Sequence, residues 1–154
     1  MIKSIMFVCH GNICRSPTAE FIMKYLVKKN CPESDIYIAS SATSTEEIGN
    51  SIYPPAKAEL SRRGIPFGGK YAVQLKKSDY DRYDMFLVMD GNNMRNIMRI
   101  FGSDPKGKVH KLLEFTDRVG DISDPWYSGR FDIAFDDIYE GCAALLKYIE
   151  KENQ

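Results

Sequence analysis

The chain has 154 residues, of which 44% are hydrophobic and 27% are charged, so it is long enough to bury a substantial core. Its 21 basic and 21 acidic residues cancel to a formal net charge of zero, which gives no general attraction to nucleic acid or anionic membranes. No apolar run approaches the roughly 18 residues of a membrane span. We therefore expect one globular domain, residues 1–154, with no nucleic-acid partner and no membrane insertion.

The first predicted elements are a strand at residues 3–8 and a helix at residues 17–29. The strand is largely apolar, as expected of a strand buried on both faces. The helix begins with Pro17 in its first turn and carries apolar side chains at helical spacing.

Strands and helices then alternate along the chain. Further strands are predicted at residues 36–39, 84–89 and 108–112, and further helices at residues 54–63, 92–101 and 131–150. Cys142 lies in the apolar stripe of the last helix and is expected to be an inert, packed thiol. The alternation predicts an α/β fold, a four-stranded parallel sheet with helices on both faces. Ligands of such sheets bind beyond the carboxyl ends of the strands, where Cys9 lies.

The segment between the first strand and the first helix has the features of a phosphate-binding loop. It reads Cys9-His10-Gly11-Asn12-Ile13-Cys14-Arg15-Ser16. Gly11 allows close backbone approach and Asn12 tolerates a left-handed conformation, so successive N–H groups can turn inward around an anion. The start of the helix stabilises both a bound anion and a thiolate. The planar guanidinium of Arg15 can donate two parallel hydrogen bonds to phosphate oxygens. The pattern therefore indicates attack of the Cys9 sulfur on a phosphate ester. The Gly-Lys-Ser/Thr ending of nucleotide-binding loops is absent.

Sulfur attack on a phosphate monoester also calls for an acid to protonate the leaving oxygen and a base to activate water. Asp124 is the candidate, because Pro125 stiffens the chain after it and favours an extended conformation. Trp126 and Tyr127 are candidates for an aromatic wall beside a flat substrate. On spacing alone, Asp124 is one of 21 acidic residues, and a solvated turn residue is the alternative.

The four cysteines, Cys9, Cys14, Cys31 and Cys142, are expected to be free thiols in the cytoplasm. The chain passes from Met-Ile-Lys-Ser into a short apolar stretch that continues as the predicted phosphate-binding loop, without the pattern of a signal peptide. A metal site is not expected, because the cysteines lack zinc-ligand spacing and the chain has only two histidines.

The chain resembles the low-molecular-weight protein tyrosine phosphatases nearly from end to end. The resemblance rests on residues 8–17, on residues 40–44 (Ser-Ser-Ala-Thr-Ser) and on residues 124–127 (Asp-Pro-Trp-Tyr). It implies a phosphotyrosine-containing protein as substrate, a phosphocysteine intermediate, activity on small aryl phosphates, and no metal or organic cofactor. We expect a cytoplasmic monomer.

The resemblance also implies roles for single residues. Cys9 is the nucleophile, Arg15 binds the phosphoryl group and stabilises the transition state, and Asp124 is the general acid and base. Two departures concern other positions. Thr45-Glu46-Glu47 stands where many members have an aromatic residue, so Glu46 is expected to make one wall of the substrate cleft acidic. Lys70-Tyr71-Ala72-Val73 aligns with the family's His-x-Ala-Arg segment, so the family's histidine and arginine are absent from this chain.

Four further residues have supporting roles by resemblance. Asn12 holds the loop in its strained shape, Ser40 supports it through hydrogen bonds, and Ser16 stabilises the thiolate. Without the resemblance, Ser16 is expected to cap the helix and Ser40 to lie in a loop. Cys14 matches the family's second loop cysteine. It is either a space-filling residue or a partner that traps oxidised Cys9 as a disulfide, which would make the protein redox-sensitive.

Three alternatives to a tyrosine phosphatase remain at this point. A protein-arginine phosphatase resembles this chain but carries a small polar residue where Ile13 stands, and Ile13 suits an aromatic ring better. An arsenate reductase needs a further cysteine pair around residues 75–90, and the chain has no cysteine between Cys31 and Cys142. The third alternative, a catalytically silent phosphoprotein-binding module, is disfavoured by the presence of Cys9, Arg15 and Asp124.

Overall fold

The computed structural model describes all residues, 1–154, and contains one sheet of four parallel strands in the order β2-β1-β3-β4. The strands are β1 (Ser4–Cys9), β2 (Tyr37–Ala42), β3 (Met85–Val88) and β4 (Val109–Lys111). The chain adds β2 on one side of β1 and then β3 on the other side. The carboxyl end of β1 therefore lies where the strand order reverses, which is where ligands of such sheets bind.

Six helices and one 3₁₀ turn connect and cover the strands. They are α1 (Arg15–Asn30), α2 (Pro54–Arg62), α3 (Asp79–Arg82), α4 (Gly91–Phe101), the 3₁₀ turn (Leu112–Phe115), α5 (Pro125–Ser128) and α6 (Phe131–Glu152). No helix is both long and apolar enough to cross a membrane.

The side chains of β1 alternate between two hydrophobic cores, because successive residues of a strand point to opposite faces. Ile5 and Phe7 belong to the larger core, which also contains apolar residues of α1 and α6. Met6 and Val8 belong to the smaller core, together with Ile97 of α4. The predicted α/β sheet with helices on both faces is therefore confirmed.

The helix α6 packs closely on the 3₁₀ turn through Gly141. A Cβ atom at Gly141 would lie 2.6 Å from the Cγ atom of Leu112, so the contact requires glycine. Cys142, the next residue, is fully buried, and burial raises the pKa of its thiol. The thiol is thus kept neutral and packed, as its place in the apolar stripe predicted.

The predicted elements differ from the observed ones mainly at their ends. The second strand extends to Ala42, three residues beyond the predicted end, so Ser40 lies within β2 and not in a loop. The helix α1 begins at Arg15, with Cys14 as its N-cap residue and no capping side chain. Ser16 therefore does not cap the helix, because its hydroxyl bonds to other partners. The short helices α3 and α5 were not predicted, since four residues are too few to show a period.

Candidate active site

The loop between β1 and α1 has the backbone shape that its sequence predicts. Asn12 has a φ of 57° and is the only residue other than glycine with a positive φ. An L-residue is strained in this region, and asparagine tolerates it better than most. The loop thus turns sharply between Cys9, at the end of β1, and Arg15, at the start of α1.

A buried hydrogen-bond network holds Asn12 in this conformation. Its amide nitrogen donates to the hydroxyl of Ser16 at 2.8 Å and to the hydroxyl of Ser40 at 3.0 Å. Its amide oxygen accepts the backbone N–H of Val73 at 3.1 Å. Three separate segments of the chain therefore fix one side chain, and the resulting bonds offset the strain of the backbone.

The same network reaches the predicted nucleophile at one end. The Sγ atom of Cys9 lies 3.0 Å from the Oγ atom of Ser16. A hydroxyl that donates to sulfur stabilises the thiolate over the thiol. The geometry therefore allows the role that the resemblance implied for Ser16.

At its other end the network reaches two residues that the sequence analysis did not assign to the site. The Ser40 hydroxyl donates to Oε1 of Glu20 at 2.6 Å, and Nζ of Lys70 donates to the Ser40 carbonyl at 2.8 Å. The Nζ atom of Lys70 also lies 3.9 Å from the Oε1 atom of Glu20. Burial lowers the pKa of Lys70, and the attraction of Glu20 only partly opposes this effect. Glu20 gave no sequence signal beyond its position one helical turn after Ser16.

Arg15 is buried, with two close hydrogen-bond acceptors and a third, more distant carboxylate. Its Nη1 atom donates to Oδ2 of Asp90 at 2.7 Å and to the carbonyl of Ile122 at 2.8 Å. Its Nη2 atom lies 3.5 Å from Oδ2 of Asp124. Burial works against the charge, but the Cys9 sulfur and the Asp90 carboxylate outweigh it and raise the pKa of Arg15. The guanidinium is therefore fixed as a cation beside the sulfur.

Asp90 was missed by the sequence analysis. It caps α4, where its Oδ1 atom accepts the N–H of Asn93 at 2.8 Å, while Oδ2 accepts Arg15. The signal available in the sequence was its position at the end of the third predicted strand, the same edge of the sheet as Cys9. Nothing in the spacing indicated which acidic residue Arg15 would contact.

Asp124 stands at the N-cap of α5, just before Pro125. Its Oδ1 atom accepts the N–H of Trp126 at 3.0 Å, while Oδ2 faces Arg15. The proline at the first helical position fits the observed cap. One oxygen is thereby committed to the backbone, and the other is directed toward the centre of the site.

Cys9, Arg15 and Asp124 line one cleft of about 430 Å³ at the carboxyl edge of the sheet. It is lined by most of the candidates from the sequence: Cys9, His10, Gly11, Ile13, Cys14, Arg15, Glu46, Asp124, Trp126 and Tyr127. Glu47 also lines it. Asn12, Ser16 and Ser40 lie outside the lining, behind the loop that they hold.

The walls of the cleft differ in character. Trp126 packs on Tyr53, with ring centroids 4.8 Å apart, and remains 55% exposed. Tyr127 is 86% exposed. The opposing Glu46 lies 2.9 Å from Nε2 of His10. The predicted aromatic wall and acidic wall thus both border the cleft.

The second loop cysteine, Cys14, is kept neutral by its surroundings. Burial, reinforced by the charges of Cys9 and Asp124, raises the pKa of the Cys14 thiol. Cys14 therefore stays a neutral thiol, whereas the Cys9 sulfur lies within hydrogen-bond distance of the Ser16 hydroxyl. All four cysteines are free in the structure.

The arrangement can bind an anion above a sulfur and deliver a proton from the side. Arg15 and the N-terminus of α1 favour a phosphate group at the loop. Cys9 supplies the attacking atom and Asp124 a carboxyl group next to Arg15. No group of three or more His, Cys, Asp or Glu side chains is arranged to hold a metal ion.

Comparison with known proteins gives consistent relatives. Residues 4–154 match the family model described as low molecular weight phosphotyrosine protein phosphatase. The low molecular weight protein-tyrosine-phosphatase YfkJ of Bacillus subtilis is 35% identical over 153 residues, which make up 98% of each chain. A phosphatase of the same description from Staphylococcus saprophyticus, PtpA, is 35% identical over 151 residues, 97% of this chain and 95% of that one.

Two solved structures superpose on nearly the whole chain. The crystal structure of YfkJ has a TM-score of 0.95 at 35% identity and covers 100% of this chain and 98% of that chain. The low molecular weight protein tyrosine phosphatase of Streptococcus pyogenes has a TM-score of 0.84 at 32% identity, covering 96% of this chain and 93% of that one. The chain therefore belongs to the low molecular weight protein tyrosine phosphatases, cysteine-dependent hydrolases that act on phosphotyrosine through a phosphocysteine intermediate.

Proposed function

We propose that residues 1–154 act as one phosphatase domain on phosphotyrosine-containing proteins, with Cys9, Arg15 and Asp124 as the catalytic residues. The observation that carries this assignment is that all three side chains line one cleft at the strand-order reversal. Asp124 follows Cys9 by more than a hundred residues, and only the fold brings the two together.

In the first step the Cys9 sulfur attacks phosphorus and a P–S bond forms as the P–O bond to the substrate breaks. The proton on Asp124 passes to the departing oxygen, so a neutral phenol leaves. Arg15 and the loop N–H groups stabilise the charge on the equatorial phosphoryl oxygens, and one such donor contributes roughly 3–4 kcal/mol.

In the second step a water molecule attacks the phosphocysteine. The Asp124 carboxylate takes a proton from the water, the P–S bond breaks, and the Cys9 thiolate and inorganic phosphate are regenerated. Asp90 holds Arg15 in place throughout, because it makes the shorter ion pair at 2.7 Å against 3.5 Å for Asp124. Asp124 is thus the carboxylate that can change partner during the cycle.

The cleft supports an aromatic substrate. Ile13 and Trp126 supply apolar lining beside the reacting sulfur, which suits a phenyl ring better than the charged guanidinium of phosphoarginine. The nucleophile is a free thiol and must stay reduced, which supports a cytoplasmic location. Cys9, Arg15 and Asp124 meet within one chain without a residue from a second copy, which supports a monomer as the active form.

The test compares phosphotyrosine, phosphoserine and phosphoarginine peptides with the wild type, Cys9→Ser and Asp124→Ala. We expect the wild type to hydrolyse the phosphotyrosine peptide, Cys9→Ser to be inactive while still binding it, and Asp124→Ala to lose about 100- to 10,000-fold in rate. Preferred hydrolysis of phosphoarginine, or full activity of Cys9→Ser, would overturn the assignment.

A further inference from the structure

The mouth of the cleft has negative charge that the proposed reaction does not need. Glu46 and Glu47 both line the cleft, on the segment that follows β2. A Cβ atom built on Gly11 would lie 3.4 Å from the Cγ atom of Glu47, so Glu47 lies directly against the phosphate-binding loop. These carboxylates stand beside a site that binds a phosphate dianion, which they repel.

The two carboxylates are only partly compensated. Glu46 lies 2.9 Å from the His10 ring, and its side chain is 69% exposed. Glu47 accepts a hydrogen bond from the neutral amide of Asn50 at 2.6 Å and forms no salt bridge. Arg15 is the only arginine or lysine in the lining, and it is already paired with Asp90. The mouth therefore carries uncompensated negative charge.

We propose that Glu46 and Glu47 select phosphotyrosine peptides that carry lysine or arginine next to the phosphotyrosine. The proposal rests on the proposed function, since it concerns the substrate of the same site. Glu46 and Glu47 form an acidic rim around the cleft. A cationic side chain beside the phosphotyrosine pairs with this acidic rim and offsets its repulsion of the substrate, while an acidic neighbour adds to that repulsion. Charges at the rim of an interface act mainly on selectivity and association rate.

The expected size follows from exposed ion pairs, each of which contributes about 0.2–1 kcal/mol. Two pairs together correspond to a roughly two- to thirtyfold preference in kcat/KM for basic over neutral flanks. The preference falls with added salt, because the Debye length shrinks from about 10 Å at 0.1 M to about 3 Å at 1 M.

The experiment measures kcat/KM on three phosphotyrosine peptides of equal length with basic, neutral and acidic flanks, and on a small aryl phosphate. Glu46→Gln/Glu47→Gln is compared with Glu33→Gln/Glu152→Gln, which makes the same change in net charge at two exposed positions, one after the end of α1 and one at the last residue of α6. We expect the rim variant to lose the preference for basic flanks and to hydrolyse the aryl phosphate faster, since repulsion is removed. The control variant keeps the preference.

Equal kcat/KM on the three peptides in the wild type, or a preference that survives in the rim variant, would overturn the acidic-rim proposal while phosphotyrosine hydrolysis stands. Absence of hydrolysis of every peptide and of the aryl phosphate would instead overturn the proposed function, and the rim proposal with it.

Discussion

The floor and the mouth of the cleft are built on opposite principles. The floor is the phosphate-binding loop: Asn12 and Ser16 are buried and hydrogen-bonded behind it, and Arg15 is buried between a carboxylate and a carbonyl. At the mouth, Glu46 and Tyr127 are exposed and have few partners. Electrostatic interactions are stronger and geometry is tighter where water is excluded. The floor is therefore suited to chemistry, and the mouth to weak discrimination among substrates.

Replacing Arg15 by lysine is the most severe test of the floor. Lysine keeps the charge but loses the planar fork that bonds Asp90 and grips phosphate oxygens. We expect kcat/KM on an aryl phosphate to fall about 100- to 1000-fold. Arg62→Lys, at an exposed arginine paired with Glu59, is the matched control and should keep full activity. A loss below tenfold in Arg15→Lys would show that geometry at the floor matters less than charge.

Substitutions at Asn12 separate the contribution of its buried hydrogen bonds from that of its strained backbone. Asn12→Ala removes the bonds to Ser16, Ser40 and Val73 and retains a side chain at a positive φ. We expect it to lower the free energy of unfolding by about 1–3 kcal/mol and kcat by about tenfold.

Asn12→Gly is the matched variant, since it loses the same bonds but relieves the strained φ. Urea denaturation should place its stability above that of Asn12→Ala by about 1 kcal/mol. Equal stability of the two variants would show that backbone strain at position 12 is negligible.

Substitution of Cys14 tests whether this residue forms a protective disulfide with oxidised Cys9. We expect Cys14→Ala to be inactivated by peroxide and to recover much less activity with thiol than the wild type, because oxidised Cys9 then has no neighbour to form a disulfide. Cys31→Ala, at a half-buried thiol outside the cleft, is the control. Equal recovery in all three proteins would leave Cys14 as a packing residue only.

The smallest expected effect is that of Lys70→Met on the pH dependence of the free energy of unfolding. Burial lowers its pKa in the folded state, so between that value and the ordinary lysine value of about 10.4 the unfolded chain binds more protons. The stability of the wild type relative to Lys70→Met should therefore rise as the pH increases through this range. Denaturation of both proteins at several alkaline pH values measures the difference, and a fall with pH would show that Glu20 outweighs burial.

The local pattern of the sequence was enough to predict the sheet, the phosphate-binding loop and its two ends. Apolar runs, a helix-starting proline and the spacing of Cys9 and Arg15 are short-range features, and the strand-helix alternation allows few topologies. The left-handed Asn12 was predictable for the same reason, since few residues tolerate that backbone.

The partners of the loop were decided by tertiary structure. Asp90 reaches Arg15 because β3 pairs with β1, and Lys70 reaches Ser40 because the segment after α2 returns beside β2. One acidic residue out of 21 becomes the anchor of Arg15 only through that pairing, and no periodicity marks it in advance. Short-range residue spacing thus determined which atoms react, while the long-range packing of the strands decided which charges surround them.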